Sequence, residues 1–212
     1  MSSFELVIFD CDGVLVDTER ATVVVESSFL TELGWAIAPE EVADLFLGRT
    51  DEYMRQVIEE RLPELPSDWE RRLEARYVSA HTEVQPVEGI VDALERISGD
   101  TCVASSGTHE KMRRTLGATG LYERFEGRIF SATDVEHGKP APDLFLYAAE
   151  RMGARPETCA VVEDSAFGIA AAKAAGMRAF AYAGGVMPPE RLRDADVVFD
   201  DMRELPALLS RQ

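Results

Sequence analysis

Apolar residues fall into two patterns along this 212-residue chain. Short, mostly apolar runs, which suit strands buried on both faces of a parallel sheet, lie at 6–9, 101–105, 159–162, 178–183 and 197–199, with a weaker one at 127–131, and the run at 6–9 is unbroken. Helical segments are predicted between and after them at 89–98, 108–116, 142–152, 165–175, 188–192 and 202–209. This alternation predicts an α/β fold, a doubly wound parallel sheet.

A different pattern separates the first strand from the second. No strand signal occurs between residues 18 and 84, and helices are predicted there at 18–33, 39–47, 50–61 and 69–82, the first capped by Asp17 or Thr18. Because the first strand must still join the sheet, the core domain is predicted to be discontinuous, comprising residues 1–16 and 85–212. Residues 17–84 would form a smaller inserted α-helical cap domain, with Trp35 and Trp69 packed inside it.

Two carboxylates stand at the end of the first apolar run. Asp10 and Asp12 are two residues apart, so on extended chain they point to the same side. Like charges that close repel one another unless a cation lies between them or one keeps its proton. Gly13 then allows the chain to turn away. An acidic turn or helix cap would explain these residues as well, but the strand end also predicts a metal and catalytic site.

Charge and composition limit the partners. The net charge of −17 argues against nucleic acid and anionic membranes, which require surplus Lys and Arg. The composition, 46% hydrophobic and 29% charged, is typical of a globular protein, and neither a membrane span nor a signal peptide is evident. Cys11, Cys102 and Cys159 have no paired spacing, which predicts buried free thiols and a cytoplasmic location.

Three further groups of polar residues follow predicted strands or precede helices. Ser105, Ser106 and Gly107 open a helix and could bind an anion through backbone amides, although a serine-capped loop is the simpler alternative. Lys139 lies between Gly138 and Pro140, where a solvated loop lysine is the alternative. Glu163 and Asp164 end the 159–162 run, where a helix cap is the alternative.

Taken together, these segments resemble the haloacid dehalogenase-like phosphohydrolases. The stretch from Asp10 to Glu19 is similar to the first motif of that family, Ser105 to the second, and Lys139, in Gly-Lys-Pro-Ala-Pro-Asp, to the third. Glu163-Asp164-Ser165 is similar to the fourth, metal-binding motif. The four occur in the family's order and cover almost all of the predicted core.

The resemblance implies a mechanism. Asp10 would attack phosphorus and form an aspartyl-phosphate, and Asp12 would protonate the leaving oxygen and later take a proton from water. Mg²⁺ would be held by Asp10, the Asp12 carbonyl, Asp164 and Glu163. Lys139 and the Ser105–Gly107 loop would neutralise the other phosphoryl oxygens. Since an acid at Asp12 must keep its proton, its pKa is expected to be raised.

The position of the insert implies the helical-cap members of the family, which include sugar-phosphate phosphatases, phosphoglycolate phosphatases and β-phosphoglucomutase. The expected substrate is a small phosphorylated metabolite, a sugar phosphate or phosphosugar acid, and the expected state is a monomer or weak homodimer. A mutase is the alternative, disfavoured because Thr22 and Asp51 stand where it has His and Arg. In the cap, Arg49 is the substrate-binding candidate and Arg76 a weaker one.

Other classes of protein fit the sequence less well. A phosphorylation-dependent signalling receiver places its acceptor Asp on a later strand, a metal-free dehalogenase has no use for Asp12 or the Glu163-Asp164 pair, and an inactive binding protein would not retain every expected polar position. His81 and His109 are predicted to lie on helix surfaces, and His137 is placed near the entrance to the site.

Overall fold

The computed structural model describes residues 4–46 and 51–210. Its described part contains a six-stranded sheet in the order β3-β2-β1-β4-β5-β6, and every neighbouring pair is parallel. The strands are β1 (Leu6–Phe9), β2 (Asp100–Ser105), β3 (Ile129–Ser131), β4 (Cys159–Glu163), β5 (Arg178–Tyr182) and β6 (Val197–Phe199). The predicted doubly wound α/β fold is therefore confirmed.

The helices of the sheet domain lie on both of its faces. They are α5 (Ile90–Arg96), α6 (His109–Ala118), α7 (Tyr122–Phe125), α8 (Asp143–Met152), α9 (Ala166–Ala174) and α10 (Leu205–Ser210). Val7 and Phe9 point into the cluster formed with α5, α6, α7 and α10, whereas Leu6 and Ile8 point into the one formed with α8 and α9. The unbroken apolar run of β1 follows from this burial on both faces.

Four helices fill the insert between β1 and β2. They are α1 (Thr18–Glu32), α2 (Pro39–Phe46), α3 (Asp51–Arg61) and α4 (Trp69–Ala80). Their apolar side chains form a third cluster around Phe29 and Leu30, which contains Trp69 and contacts Trp35. The expected roles of the two tryptophans are confirmed. The predicted start of α3 at Thr50 and the predicted end of α2 at Leu47 lie outside the described residues.

The two chain segments that connect the insert to the sheet run side by side. Val16 forms an antiparallel bridge with Pro86, the Asp17 amide donates to the Gln85 carbonyl at 2.9 Å, and the Val87 amide donates to the Leu15 carbonyl at 3.1 Å. The two points at which the chain passes between the sheet and the insert therefore lie next to each other in space. The predicted domain limits, 17 and 84, fall at this paired segment.

Some predicted helices differ from the observed ones. Residues Pro189–Leu192 form a 3₁₀ turn, and the predicted helix 202–209 is a 3₁₀ turn, Met202–Glu204, followed by α10. Pro206 explains the second case, because it has no amide hydrogen to bond to Met202. The four-residue helix α7 was not predicted, since it is too short to show a helical period.

The three cysteines are free and buried, as predicted. Burial, with Asp12 and Asp10 nearby, raises the pKa of the Cys11 thiol well above its usual value. The thiol is therefore protonated and has no nucleophilic character. No helix within the described ranges is long and apolar enough to cross a membrane.

Candidate active site

The central strands end at one edge of the sheet and bring distant residues together there. Phe9 is in register with Val103 of β2 and with Val162 of β4. The next residue, Asp10, donates its amide to the Val162 carbonyl at 2.9 Å. Asp10 therefore lies between the ends of two strands that carry further polar residues, where ligands bind in open α/β sheets.

Lys139 joins two of these strand ends. Its side chain, only 4% exposed, places Nζ 2.5 Å from Asp10 Oδ1 and 2.6 Å from Glu163 Oε1. The third donor position is taken by the Ala104 carbonyl at 3.1 Å, so the ammonium is fully hydrogen-bonded. Burial alone would lower the pKa of Lys139, but Asp10 and Glu163 raise it overall. Lys139 is therefore a fixed positive charge beside Asp10.

The charge on Asp10 depends on its neighbours. Burial, together with Glu163 and Asp12, raises the pKa of Asp10 to about 7, although Lys139 lowers it. Near neutral pH a modest change in nearby charge therefore decides whether Asp10 is ionised. An additional cation at this edge of the sheet would favour the carboxylate that a nucleophile requires.

Asp12 differs from the expectation. Its Oδ1 accepts from the Thr18 hydroxyl at 2.7 Å and its Oδ2 from Lys111 Nζ at 2.8 Å. Burial alone would raise the pKa of Asp12, but Lys111 and Thr18 lower it overall. The predicted rise is therefore wrong, because the sequence gives no sign that a lysine of α6 reaches Asp12. Thr18, offered as a cap for α1, bonds to Asp12 instead, and Asp17 makes no capping bond.

The Ser105–Gly107 loop follows β2 and leads into α6. The Ser105 hydroxyl oxygen accepts from the Gly107 amide at 3.1 Å, and the Ser131 hydroxyl donates to the Gly107 carbonyl at 2.7 Å. A Cβ added at Gly107 would lie 3.6 Å from Asp12 Oδ2, so the loop adjoins the acidic pair. Ser106 is exposed. The loop stays a predicted anion-binding site.

Glu163 is a hydrogen-bonding hub in the structure. Its Oε2 accepts from the Asp164 amide, the Ser165 amide and the Ser165 hydroxyl, at 2.8 to 3.0 Å, while Oε1 binds Lys139. A Cβ at Gly168 would lie 1.8 Å from Oε1, which explains the glycine three residues after Ser165. Glu163 thus positions Lys139, and its predicted role as a metal ligand stays a prediction.

Asp164 has the features of a cation ligand. It is 3% exposed, and its Oδ2 is a buried oxygen without a hydrogen-bond donor, as is Oε2 of Glu19. Burial, with Glu19, Glu163 and Asp10 nearby, raises the pKa of Asp164 well above its usual value. Burial likewise raises the pKa of Glu19 to about 8, with a hydrogen bond to Asp164 opposing the rise. Only a shared proton or a cation can join two carboxylates in this way.

A preformed metal cage is absent from the part of the chain that the structure describes: no three carboxylate, thiol or imidazole groups are arranged to hold an ion. Lys139 occupies one oxygen each of Asp10 and Glu163. The unpartnered oxygen of Asp164 nevertheless fits a hard cation, because buried carboxylates without donors are costly unless paired. Asp164 and Asp10 are the groups available for it.

Of the remaining candidates, His81 lies near Asp12 and Lys111. His81 is buried, and neither ring nitrogen has a hydrogen-bond partner, so its predicted surface position is wrong. It ends α4, where it stacks on Tyr77, and burial with Lys111 nearby lowers its pKa. His109 is exposed on α6, as predicted. His137, placed near the entrance, is exposed and lies 3.4 Å from Asp143. Arg76 forms two bonds to Glu32, and Arg49 lies outside the described residues.

Three residues of this site were not singled out from the sequence. Thr18 and Glu19 are the last two residues of the first motif, and Lys111 lies three residues after Thr108, whose hydroxyl accepts from the Lys111 amide and caps α6. A lysine in the first turn of a helix is unfavourable beside the helix dipole, which is a signal that it serves another purpose.

The comparisons with known proteins show the family to which the chain belongs. The family model of the haloacid dehalogenase-like hydrolases matches residues 4–176. The 6-phosphogluconate phosphatase of Escherichia coli K12 is 30% identical over 214 residues, covering 98% of this chain and 96% of that protein. The chain therefore belongs to the haloacid dehalogenase-like hydrolases, and it is an enzyme of the phosphatase type.

Solved structures show the same fold. A family hydrolase of Deinococcus radiodurans, crystallised with bound phosphate and sodium, superposes with a TM-score of 0.87 and 31% identity, covering 99% of this chain and 96% of that one. A putative β-phosphoglucomutase of Thermotoga maritima has a TM-score of 0.81 and 25% identity, covering 97% and 98%. A hydrolase of the family and a putative phosphomutase thus have this architecture.

Proposed function

We propose that the chain is a Mg²⁺-dependent phosphatase that hydrolyses a sugar phosphate or phosphosugar acid through an aspartyl-phosphate on Asp10. The observation that carries the proposal is the buried Lys139, which holds Asp10 and Glu163 together at the carboxyl edge of the sheet. The substrate class is supported by the E. coli relative, a phosphosugar-acid phosphatase by name.

Asp10 supplies the nucleophile. A carboxylate oxygen of Asp10 forms a bond to phosphorus as the bond from phosphorus to the leaving oxygen breaks, and water later cleaves the resulting acyl phosphate. Lys139, already within hydrogen-bond distance of Asp10, is placed to neutralise a phosphoryl oxygen of the attacked group. The Ser105–Gly107 loop offers a hydroxyl and backbone amides to the others.

Asp12 moves the protons. With Lys111 and Thr18 bonded to it, Asp12 is ionised and suited to take a proton from the water that cleaves the acyl phosphate. Protonation of the leaving oxygen in the first half requires Asp12 to arrive with a proton. An anionic substrate oxygen would draw Lys111 away from Asp12, so that Asp12 takes up a proton from solvent water before it donates that proton to the leaving oxygen.

Asp10, the Asp12 carbonyl and Asp164 would hold Mg²⁺, with Glu163 as the further ligand predicted from the sequence. When bound, the ion supplies positive charge to the phosphoryl oxygens and keeps Asp10 ionised. The fit rests on the unpartnered oxygen of Asp164 and on the chemistry of the donors, which are hard oxygens. Bound phosphate and sodium in the D. radiodurans relative support a shared anion and cation site.

The inserted helices would form a cap domain, residues 17–84, that closes over the site, excludes water and selects the leaving group. The two chain segments that connect it to the sheet, which are bridged at Val16 and Pro86, are a suitable hinge. Arg49 is the proposed substrate contact of the cap. A cytoplasmic monomer or weak homodimer that binds neither nucleic acid nor membranes completes the proposal.

A phosphosugar mutase is the second candidate. The likeness to the putative β-phosphoglucomutase of T. maritima favours it, whereas Thr22 and Asp51, in place of His and Arg, disfavour it. The two functions differ in the fate of the phosphoryl group, because a mutase returns it to the sugar and a phosphatase releases it to water.

The test is phosphate release from a panel of phosphorylated metabolites, with Mg²⁺ and with chelator. The panel spans sugar phosphates, phosphosugar acids, phosphoglycolate and nucleotides, with β-glucose 1-phosphate isomerisation followed in parallel. Chelator-sensitive release concentrated on sugar phosphates or phosphosugar acids is expected. Isomerisation without release would establish the mutase instead, and release concentrated on nucleotides would overturn the substrate class.

Asp10→Asn should abolish both turnover and phosphoenzyme formation, with turnover reduced at least about 1,000-fold, because the amide is a poor nucleophile. Intact-protein mass spectrometry after acid quench would detect the phosphoenzyme. Asp92→Asn, which removes the same charge from the exposed side of α5, is the control and should behave as wild type. Substantial Mg²⁺-dependent turnover by Asp10→Asn would exclude Asp10 as the nucleophile.

A further inference from the structure

Glu19 and Asp164 approach the same point of the backbone from different parts of the chain. A Cβ added at Gly13 would lie 1.8 Å from Asp164 Oδ2 and 3.2 Å from Glu19 Cδ. The first turn of α1 therefore brings the Glu19 carboxylate beside the ligand expected from the fourth motif. Glu19 was not assigned any role from the sequence.

The two carboxylates are not neutralised by the bases around them. Lys139 bonds to Asp10 and Glu163, and Lys111 bonds to Asp12. Arg20, next to Glu19 in the chain, pairs with Asp17 at 3.1 Å and donates to the Gly184 carbonyl. Within the described residues, Glu19 Oε2 and Asp164 Oδ2 are both buried without a donor. Two such oxygens side by side are costly unless the carboxylates share a proton or a cation lies between them.

We propose that Glu19 is a member of the metal site and binds the divalent cation together with Asp164. The inference rests on the proposed function, in that the cation is the one that this phosphatase site requires. Hard carboxylate oxygens suit Mg²⁺. Because Glu19 lies in the first turn of α1, directly after the hinge, it ties the cation to the helix that begins the cap.

A cavity of about 610 Å³ lies on the hinge side of these carboxylates. Gly13 and Glu19 line it, and a Cβ at Gly185 would lie 3.8 Å from Glu19 Oε2. Asp17, Glu88, Asp200 and Asp201 add acidic groups around it, and Arg20 and Arg203, which also line it, pair with three of these four. The cavity provides room for a hydrated cation beside Glu19.

Titration of Mg²⁺ into the substrate-free protein tests the proposal, with calorimetry for affinity and thermal unfolding for stability. Glu19→Gln should weaken Mg²⁺ binding about 10- to 100-fold. In chelator the same variant should melt at the wild-type temperature or above it, since its amide can donate to Asp164. If Glu19 had only a structural role, its substitution would change the melting temperature in chelator and leave the Mg²⁺ affinity unchanged.

Glu88→Gln is the matched control. Glu88 lines the same cavity, but its side chain is 84% exposed and pairs with Arg203, so this variant should bind Mg²⁺ as wild type does. Affinity within twofold of wild type for Glu19→Gln would overturn the inference while the proposed function stands. Absence of Mg²⁺ binding by wild type would overturn the cation site of the proposed function, and the role of Glu19 with it.

Discussion

Gly13 shows how one residue can be required by both conformation and space. Its φ of +75° lies in the left-handed region, and any Cβ would overlap Asp164 Oδ2. Gly127 has a nearly identical φ of +78°, but a Cβ there would meet nothing within 4 Å. Comparing Gly13 with Gly127 therefore separates the cost of a left-handed backbone from the cost of a Cβ that crowds Asp164.

Gly127→Ala should cost about 1 to 2 kcal/mol of unfolding free energy, because of the left-handed conformation, and leave turnover unchanged. Gly13→Ala should cost at least as much and also reduce turnover about 100-fold, because Asp164 must move. Urea unfolding and steady-state kinetics measure the two effects. Equal losses of stability with full activity in both variants would show that the position of Asp164 does not matter for turnover.

Candidate site residues could be predicted where they stand in a recognisable local pattern of the sequence. Asp10, Asp12, Lys139, Glu163 and Asp164 stand at strand ends or between glycine and proline, in motifs. Lys111 could not be found in this way, since its bond to Asp12 depends on how α6 packs beside β1. For the same reason the direction of the Asp12 pKa was predicted wrongly.

At the scale of elements, Asp196 connects the β6 edge of the sheet to β5 and α9 by hydrogen bonds. Its Oδ2 accepts from the Ala179 amide of β5 at 2.8 Å, and its Oδ1 binds Lys173 of α9 at 3.0 Å. Burial alone would raise the pKa of Asp196, but the Ala179 amide and Lys173 lower it overall. The Asp196 amide also donates to the Ala179 carbonyl, just before β6 begins.

Asp196→Ala should cost about 1 to 3 kcal/mol, because it leaves the buried Ala179 amide without an acceptor. Lys173→Ala, which removes only the exposed ion pair, should cost less than about 1 kcal/mol. Since the folded pKa of Asp196 is depressed, its contribution is complete above the unfolded pKa of about 3.9 and fades as the pH falls through the folded value. Urea unfolding at pH 6 and at acid pH measures this. Equal losses for both variants would contradict the role of the Ala179 bond.

Element types followed from the apolar pattern, and their ends followed from local chemistry. The long helices and the buried strands were predicted within a few residues. The short helical elements were not, because α7 and the 3₁₀ turns hold too few residues to show a period.

At the scale of the whole molecule, the apolar core is divided. Two clusters cover the faces of the sheet, and the third lies among α1 to α4 around Phe29. The chain passes between them at the paired segment near Val16 and Pro86. This division is what the proposed cap domain, residues 17–84, requires.

Phe29→Ala should loosen the cap alone. The loss of a buried phenylalanine costs about 3 to 5 kcal/mol, and hydrogen exchange should rise in α1, α2 and α4 while the protection of β1 and β4 is retained. Phe145→Ala, below Lys139 on α8, should act on the sheet instead. Exchange resolved by mass spectrometry measures both. Equal loss of protection in cap and sheet after Phe29→Ala would refute two separate units.

The sequence by itself determined the parallel α/β sheet and the helical insert, because the burial pattern is a local property of the chain. Its resemblance to the haloacid dehalogenase-like family indicated the acids, serine and lysine of the four motifs. The tertiary structure alone decided which charges meet. Lys139 with Asp10 and Glu163, Lys111 with Asp12, and Glu19 with Asp164 all join residues from different elements. Electrostatic interactions depend on distance and burial in space, and neither can be read from positions along the chain.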